Sequence, residues 1–159
     1  MEEAYKAGKL RAIGVSNFYP DRLIDLCQFT EVTPAVNQVE THVFQQQKTA
    51  HEYMKKYGVQ HESWGPFAEG RKDFFTNPKL TEIGARYGKS AAQIALRFLI
   101  QSDVVVIPKS THKERMEQNL DVFDFTLGEK DMEAIRELDE GKSLFFSHYD
   151  PATVEMLTN

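Results

Sequence analysis

Four short stretches of this chain place hydrogen-bonding, aromatic or cationic side chains directly after an apolar run. They are Ser16-Asn17, Asn37-Gln38, Trp64-Gly65-Pro66 and Pro108-Lys109-Ser110. Ser, Asn and Gln side chains supply paired donors and acceptors, the complement of a carboxamide. Trp64 supplies a face on which a flat ring can stack. Lys109 stands just ahead of Thr111-His112-Lys113-Glu114, which has the form of a capping box opening a helix. The first N–H groups of a helix lack internal partners and collect anions, and Lys109 and Arg115 add full positive charges there. Arg115, Gln118 and Asn119 fall at i, i+3 and i+4, one helical face suited to a phosphate and a base together. Each stretch also has a plainer use. Asn17 can shape the turn before Phe18-Tyr19-Pro20, Gln38 can be a satisfied core amide, and the Lys109 region can be a solvated basic patch.

These residues act together only if the fold brings the ends of their runs side by side. The β-rich runs at 11–16, 34–39, 59–64 and 104–107 predict four strands, the last continuous and β-branched like a strand covered on both faces. Between and after them, helical spacing covers 22–27 (opened by Pro20-Asp21), 45–57 (stopped by Gly58), 78–87, 90–100, 113–120 and 129–138. Residues 2–8 read as the last turns of a helix ending at Gly8, and the chain closes in a tail rich in Phe and turn residues. Strands alternating with helices predict an α/β fold with a parallel sheet. Four such units are half of a (β/α)₈ TIM barrel, whose usual length is roughly 250 residues. An open doubly wound sheet also fits four strands, but the first strand leads into Gly14-Val15-Ser16-Asn17-Phe18, which is not a G-x-G-x-x-G turn. In either architecture ligands meet the C-terminal strand ends, where the four polar stretches fall.

Composition narrows the function classes. The 159 residues carry 19 Lys+Arg against 24 Asp+Glu, a net charge of −5, with 41% hydrophobic and 27% charged residues. That describes one soluble globular domain over 1–159 with no internal boundary. The acidic balance argues against nucleic-acid binding. No apolar run of about 18 residues exists to span a membrane, and the charged N-terminus does not read as a signal peptide. The single cysteine, Cys27, excludes an internal disulfide and a Cys-rich zinc site, so a reducing, cytoplasmic setting is expected and no metal site is. Cys27 lies near Leu23, Ile24 and Leu26 on an apolar stripe, which predicts a packed core thiol rather than a nucleophile.

Taken with their spacing, the motifs resemble those of the aldo-keto reductases. Residues 8–18, Gly-Lys-Leu-Arg-Ala-Ile-Gly-Val-Ser-Asn-Phe, resemble the family's fifth-strand motif, and Asn37-Gln38-Val39-Glu40 its sixth. Trp64-Gly65-Pro66-Phe67 resembles the loop after the seventh strand, and Ile107-Pro108-Lys109-Ser110 with Arg115 and Asn119 the adenosine-phosphate site after the eighth. Trp64 and Glu69-Gly70 most resemble small prokaryotic members of the diketogulonate-reductase type. The resemblance implies the C-terminal half of a barrel that binds NADP(H) and reduces aldehydes or ketones to alcohols. It further implies that Ser16, Asn17 and Gln38 hold the nicotinamide carboxamide, with Trp64 stacking on the ring where many relatives use Tyr. Gly65 and Phe67 belong to the same cofactor-binding loop. Lys109, Ser110 and Arg115 would form the 2′-phosphate corner, Thr111 would also line the cofactor site, and Asn119 and Gln118 would meet the adenine, Gln118 standing where the family often has Glu.

The family's catalytic Tyr, with its Asp, Lys and His, belongs to the first four units, and the Asp-Thr-Ala motif leading to it is not found in this sequence. Tyr19, Tyr53, Tyr57 and Tyr87 fall in loops or on helices, and Tyr149 in the tail. No catalytic residue is therefore assigned, and the chain alone is expected to be inactive, as a gene fragment or a product of an internal start would be. Two other readings are a non-catalytic nucleotide-binding module and a self-associating half-barrel. A half-barrel leaves two strand edges unpaired and turns Ile13, Val15, Val36 or Val105 toward water, depending on register. Pairing with a second copy or with a separate first half would cover that face, and so would a tail folded back through Leu144, Phe145 and Phe146.

Overall fold

Gly14 sets how closely the first two strands approach. A Cβ there would stand 2.4 Å from Cγ1 of Val36 and 2.9 Å from its carbonyl oxygen, so only glycine fits. The computed structural model describes residues 1–158. In it β1 (Val15–Ser16), β2 (Val36–Glu40), β3 (Gln60–Trp64) and β4 (Val105–Val106) form one parallel sheet in that order. The helices are α1 (Glu2–Lys6), α2 (Pro20–Phe29), α3 (Lys48–Tyr57), α4 (Pro78–Tyr87), α5 (Ala91–Gln101), α6 (Lys113–Leu120), α7 (Glu129–Arg136) and α8 (Pro151–Thr158). The alternating α/β order is the one that the sequence predicts. None of these helices is long and apolar enough to cross a membrane.

Local chemistry explains where the elements begin and end. The edge strands are shorter than 11–16 and 104–107 because each has a ladder partner on one side only. Beyond β1, single bonds continue the pairing: Ala35 N–H donates to the Ile13 carbonyl at 2.7 Å, and Asn17 N–H to that of Gln38 at 2.9 Å. Helix α3 starts later than position 45 because Gln45 pairs with His42 in a small antiparallel bridge and Gln47 is left-handed. Gly58 ends α3 with a left-handed φ of 70°, as expected. Helix α5 opens on a full capping box between Ser90 and Gln93. The tail is not all turn. Asp150 accepts from Ala152 N–H and Thr153 Oγ1 and so starts α8, a signal present in the sequence as Asp150-Pro151.

Register sorts the sheet into two faces. Val15, Asn37 and His61 share one row, and Ser16, Gln38, Glu62 and Val105 share the next. The first row meets the helices: Leu23, Val39, Ala50, Met54 and Val59 form one buried cluster, with Val15 and Cys27 packed against it. Cys27 is half-buried rather than fully enclosed, and burial raises its thiol pKa, which disfavours the thiolate. A larger cluster joins Phe74, Leu80, Ile83, Ile94, Phe98, Leu99 and Ile135. The opposite face is open. Val105 there is 42% exposed and Ile107 50%. Val36 and Val105 are thus the open-face valines, whereas Val15 lies against the core.

Candidate functional site

The ladder brings three of the four polar stretches side by side: Ser16-Asn17 and Trp64-Gly65-Pro66 stand at the C-terminal ends of β1 and β3, but Asn37-Gln38 lie within β2, with Gln38 level with Ser16 and Glu62, because that strand runs on to Glu40. Asn17 adopts a left-handed φ of 58° just beyond β1, and its Oδ1 accepts from Trp64 Nε1 at 2.7 Å across 47 residues of sequence. Ser16 Oγ donates to the Gln38 carbonyl at 3.1 Å, and Gln38 Nε2 donates to Glu62 Oε1 at 2.5 Å. Gln38 is half-buried, so it is not the core amide. That part falls to Asn37, fully buried and bonded both to Phe18 N–H and to the Phe18 carbonyl. Asn37 thereby fixes the loop that carries Asn17. Asn17 Nδ2 and Gln38 Oε1 bond to nothing among the described residues, which leaves one donor on the residue that holds Trp64 and one acceptor on the neighbouring strand.

Gly65 follows Trp64 with a left-handed φ of 63°, which turns the chain off the strand. Phe67 is half-buried and packs on Phe74 and Phe75, away from the indole. The fourth stretch follows β4, the strand beside β3. Lys109 and Arg115 are exposed cations, and no carboxylate among the described residues pairs with either. The expected cap at Thr111 is a correction. Helix α6 begins at Lys113 with His112 as its cap residue, no side chain caps it, and Ser110 Oγ accepts from His112 N–H at 3.1 Å. The helix starts too late for Thr111 to reach its third residue. Arg115, Gln118 and Asn119 do lie within α6, with Asn119 partly buried.

The tail crosses the same strand ends. Buried Glu40, at the end of β2, faces Trp64 across the ladder. Its Oε2 accepts from Ser143 Oγ, and its Oε1 accepts from Leu144 N–H at 2.9 Å. Phe44 N–H donates to His42 Nδ1, so the neutral His42 carries its proton on Nε2 and directs it at Glu40 Oε1, 3.1 Å away. Burial works against the Glu40 carboxylate, but the bonds from His42, Ser143 and Leu144 outweigh it and hold the pKa below the usual range. Phe146 then stacks on Trp64 with centroids 6.1 Å apart and planes at 26°, and Phe145 meets the indole edge-on at 5.2 Å. Beside Asn17 a cleft of about 670 Å³ opens between Tyr19, Arg22, His148 and Tyr149.

A sequence model described as the aldo/keto reductase family matches residues 1–140. The chain belongs to that family. Glyoxal reductase of Bacillus subtilis is 44% identical over 140 residues, 88% of this chain and 50% of the relative. Among solved structures, an aldo-keto reductase from a Medee basin deep-sea metagenome library superposes with a TM-score of 0.90 at 44% identity, covering 94% of this chain and 55% of the other. A putative 2,5-diketo-D-gluconic acid reductase B gives 0.85 at 36% identity, covering 94% and 53%. The aldo-keto reductase of the silkworm Bombyx mori, complexed with NADPH, gives 0.84 at 32% identity, covering 89% and 46%. The chain spans about half the length of the curated relatives that it matches.

Proposed function

We propose that these residues are the cofactor-binding half of an NADP(H)-dependent aldo-keto reductase that converts small aldehydes or ketones to alcohols. In this reading the chain is one half of a (β/α)₈ barrel and a single unit over 1–159. The supporting observation is the polar remainder beside Trp64. A nicotinamide carboxamide has one carbonyl acceptor and one NH₂ donor, and Asn17 Nδ2 and Gln38 Oε1 are their complements. Ser16 adds hydroxyl lone pairs, and Trp64 receives the ring. Lys109, Ser110 and Arg115 hold the 2′-phosphate, with Thr111 beside them, and Gln118 and Asn119 meet the adenine. Gly65 shapes the loop, while Phe67 supports it from the core. A bound NADPH supplies the hydride, and this half of the protein orients its ring and excludes water from one side. One unpaired cysteine and family membership favour a cytoplasmic setting.

A second reading, a non-catalytic nucleotide-binding module, draws on the tyrosines. Tyr87 Oη donates to Asp131, while Tyr57 Oη accepts from Gln28 and Tyr19 Oη from His148 N–H, so none of these hydroxyls is bonded to a lysine that would make it a better proton donor. The cofactor assignment is tested by titrating NADPH and NADH against the chain and against Lys109→Ala/Arg115→Ala. Loss of two charge-assisted contacts should erase a preference for NADPH of about tenfold or more. An unchanged ratio of the two affinities refutes the phosphate corner. Absolute affinity should be below that of a whole reductase, since these residues form only one wall.

A further inference from the structure

Trp64 is the only tryptophan of the chain, and its ring is held from several directions at once. Asn17 fixes the indole N–H, Phe145 abuts an edge, and Phe146 lies along one face. The indole is nevertheless only partly buried. The phenylalanines are themselves tied down. Ser143 Oγ accepts from Phe145 N–H and Phe146 N–H, both at 3.0 Å, while giving its own proton to Glu40. From the far side, Arg71 lies 4.2 Å above the Phe145 ring and donates to the Leu144 carbonyl, and Lys72 pairs with Glu140. Tyr19 closes the strap's other end through edge and tilted contacts to His148 and Tyr149. Residues 143–149 therefore run over the strand ends as a strap with anchors on the β1–α2 loop, on β2 and on the turns after β3.

We propose that this strap is a positioning device for the nicotinamide platform: Phe146 backs one face of Trp64 so that the other face is presented at a fixed angle to the cofactor ring. The proposal rests on the reading of Trp64 as the nicotinamide platform. Glu40 and Arg71 act through the strap, and neither touches the cofactor. The strap lies beyond residue 140, where the family match ends. A free indole on a strand end would sample several rotamers, and a ring stacking on it would bear the cost of ordering it. Phe146 meets that cost during folding.

Trp64 fluorescence tests the idea on the full chain, because no other tryptophan contributes. Anisotropy and acrylamide quenching are measured without cofactor for wild type, Phe146→Ala, Arg71→Ala and Phe146→Tyr, and NADPH is then titrated. Phe146→Ala and Arg71→Ala should lower anisotropy and raise quenching, and both should weaken NADPH about 2- to 10-fold, the scale of one aromatic pair. Phe146→Tyr, which keeps the ring, should restore both signals. Unchanged quenching in Phe146→Ala and Arg71→Ala would overturn the strap itself. Tighter NADPH binding in Phe146→Ala would also overturn it, because Phe146 would then be occupying the cofactor's place. If the emission signals shift as expected but NADPH binds no form, the strap stands as an anchor of Trp64 while its service to a cofactor fails with the platform reading.

Discussion

Acid should destabilise this protein in part through one histidine, His61. It is buried on β3, with Nε2 2.7 Å from Thr41 Oγ1 and Nδ1 2.9 Å from Nδ1 of His51 on α3. Burial and the neighbouring His51 push its pKa down from 6.5 to about 3. Between those values the unfolded chain binds a proton that the folded chain refuses. Stability is therefore whole above pH 6.5, falls as the pH drops toward 3, and loses nothing more from this group below that. The slope approaches about 1.4 kcal/mol per pH unit once the pH is well below 6.5, so moving from pH 6.5 to pH 4.5 removes about 2 kcal/mol. For a domain with about 5–15 kcal/mol in hand, that is a large share. His61→Gln keeps an amide to meet Thr41 but cannot titrate. Its stability at neutral pH should drop by about 1–3 kcal/mol, and its decline between pH 6.5 and pH 4.5 should be shallower than that of wild type by the histidine's contribution. Urea unfolding at four or five pH values measures both curves, and carboxylates such as Glu40 contribute alike to each. Two parallel curves would refute the reasoning.

Three further outcomes are expected. The purified chain should show no carbonyl-dependent NADPH oxidation, because no hydrogen bond among the described residues joins a tyrosine hydroxyl to a lysine, and general-acid help worth roughly 10²–10⁴-fold depends on such a partner; turnover of a simple aldehyde, lost on changing one residue of this chain, would contradict that. Gly14→Ala should destabilise by about 1–3 kcal/mol, since the new methyl meets Val36 at its side chain and its carbonyl, and an unchanged thermal midpoint would show that β1 can move away. Sedimentation at several concentrations should show self-association, because the open face exposes Val105 and Ile107 beside two unpaired strand edges; a monomer of constant mass that binds no hydrophobic dye would rule it out.

Much of the scaffold was legible because its signals are local. Gly58 at a helix end, Pro78 at a helix start and the Val104–Ile107 run each mark structure within a few residues of themselves. Ser16-Asn17 and Trp64-Gly65-Pro66 were legible as strand ends for the same reason, once alternation implied a parallel sheet, whereas β2 outran its expected end at Val39 and kept Asn37-Gln38 inside the strand. The bonding of the site was not legible. Asn17 meets Trp64 across 47 residues, and Ser143 meets Glu40 across 103, so no spacing rule within one element could pair them. The exchange of parts between Asn37 and Gln38 was hidden because the alternation of a strand says which residues share a face but not which face is buried. Thr111 failed as a cap because the helix starts one residue later than the capping-box spacing implies, with His112 as its cap residue and Ser110 taking the His112 N–H.

A run apolar at every position, like 104–107, is the pattern of a strand covered on both sides. Here Val104 is buried under the helices, while Val105 and Ile107 point the other way and keep 42% and 50% of their surface. The tail does fold back, but Leu144, Phe145 and Phe146 are spent at the top of that face, on the larger core and on Trp64. Met116, Leu120 and Phe123 are exposed as well, at and just beyond α6, and Phe29 is 85% exposed at the end of α2, so apolar surface also lies on helices near both sheet edges. An amphipathic helix would normally turn such residues inward. These exposed residues on and beside α2 and α6, and the open sheet face with Val105 and Ile107, are apolar surfaces that nothing among the described residues covers.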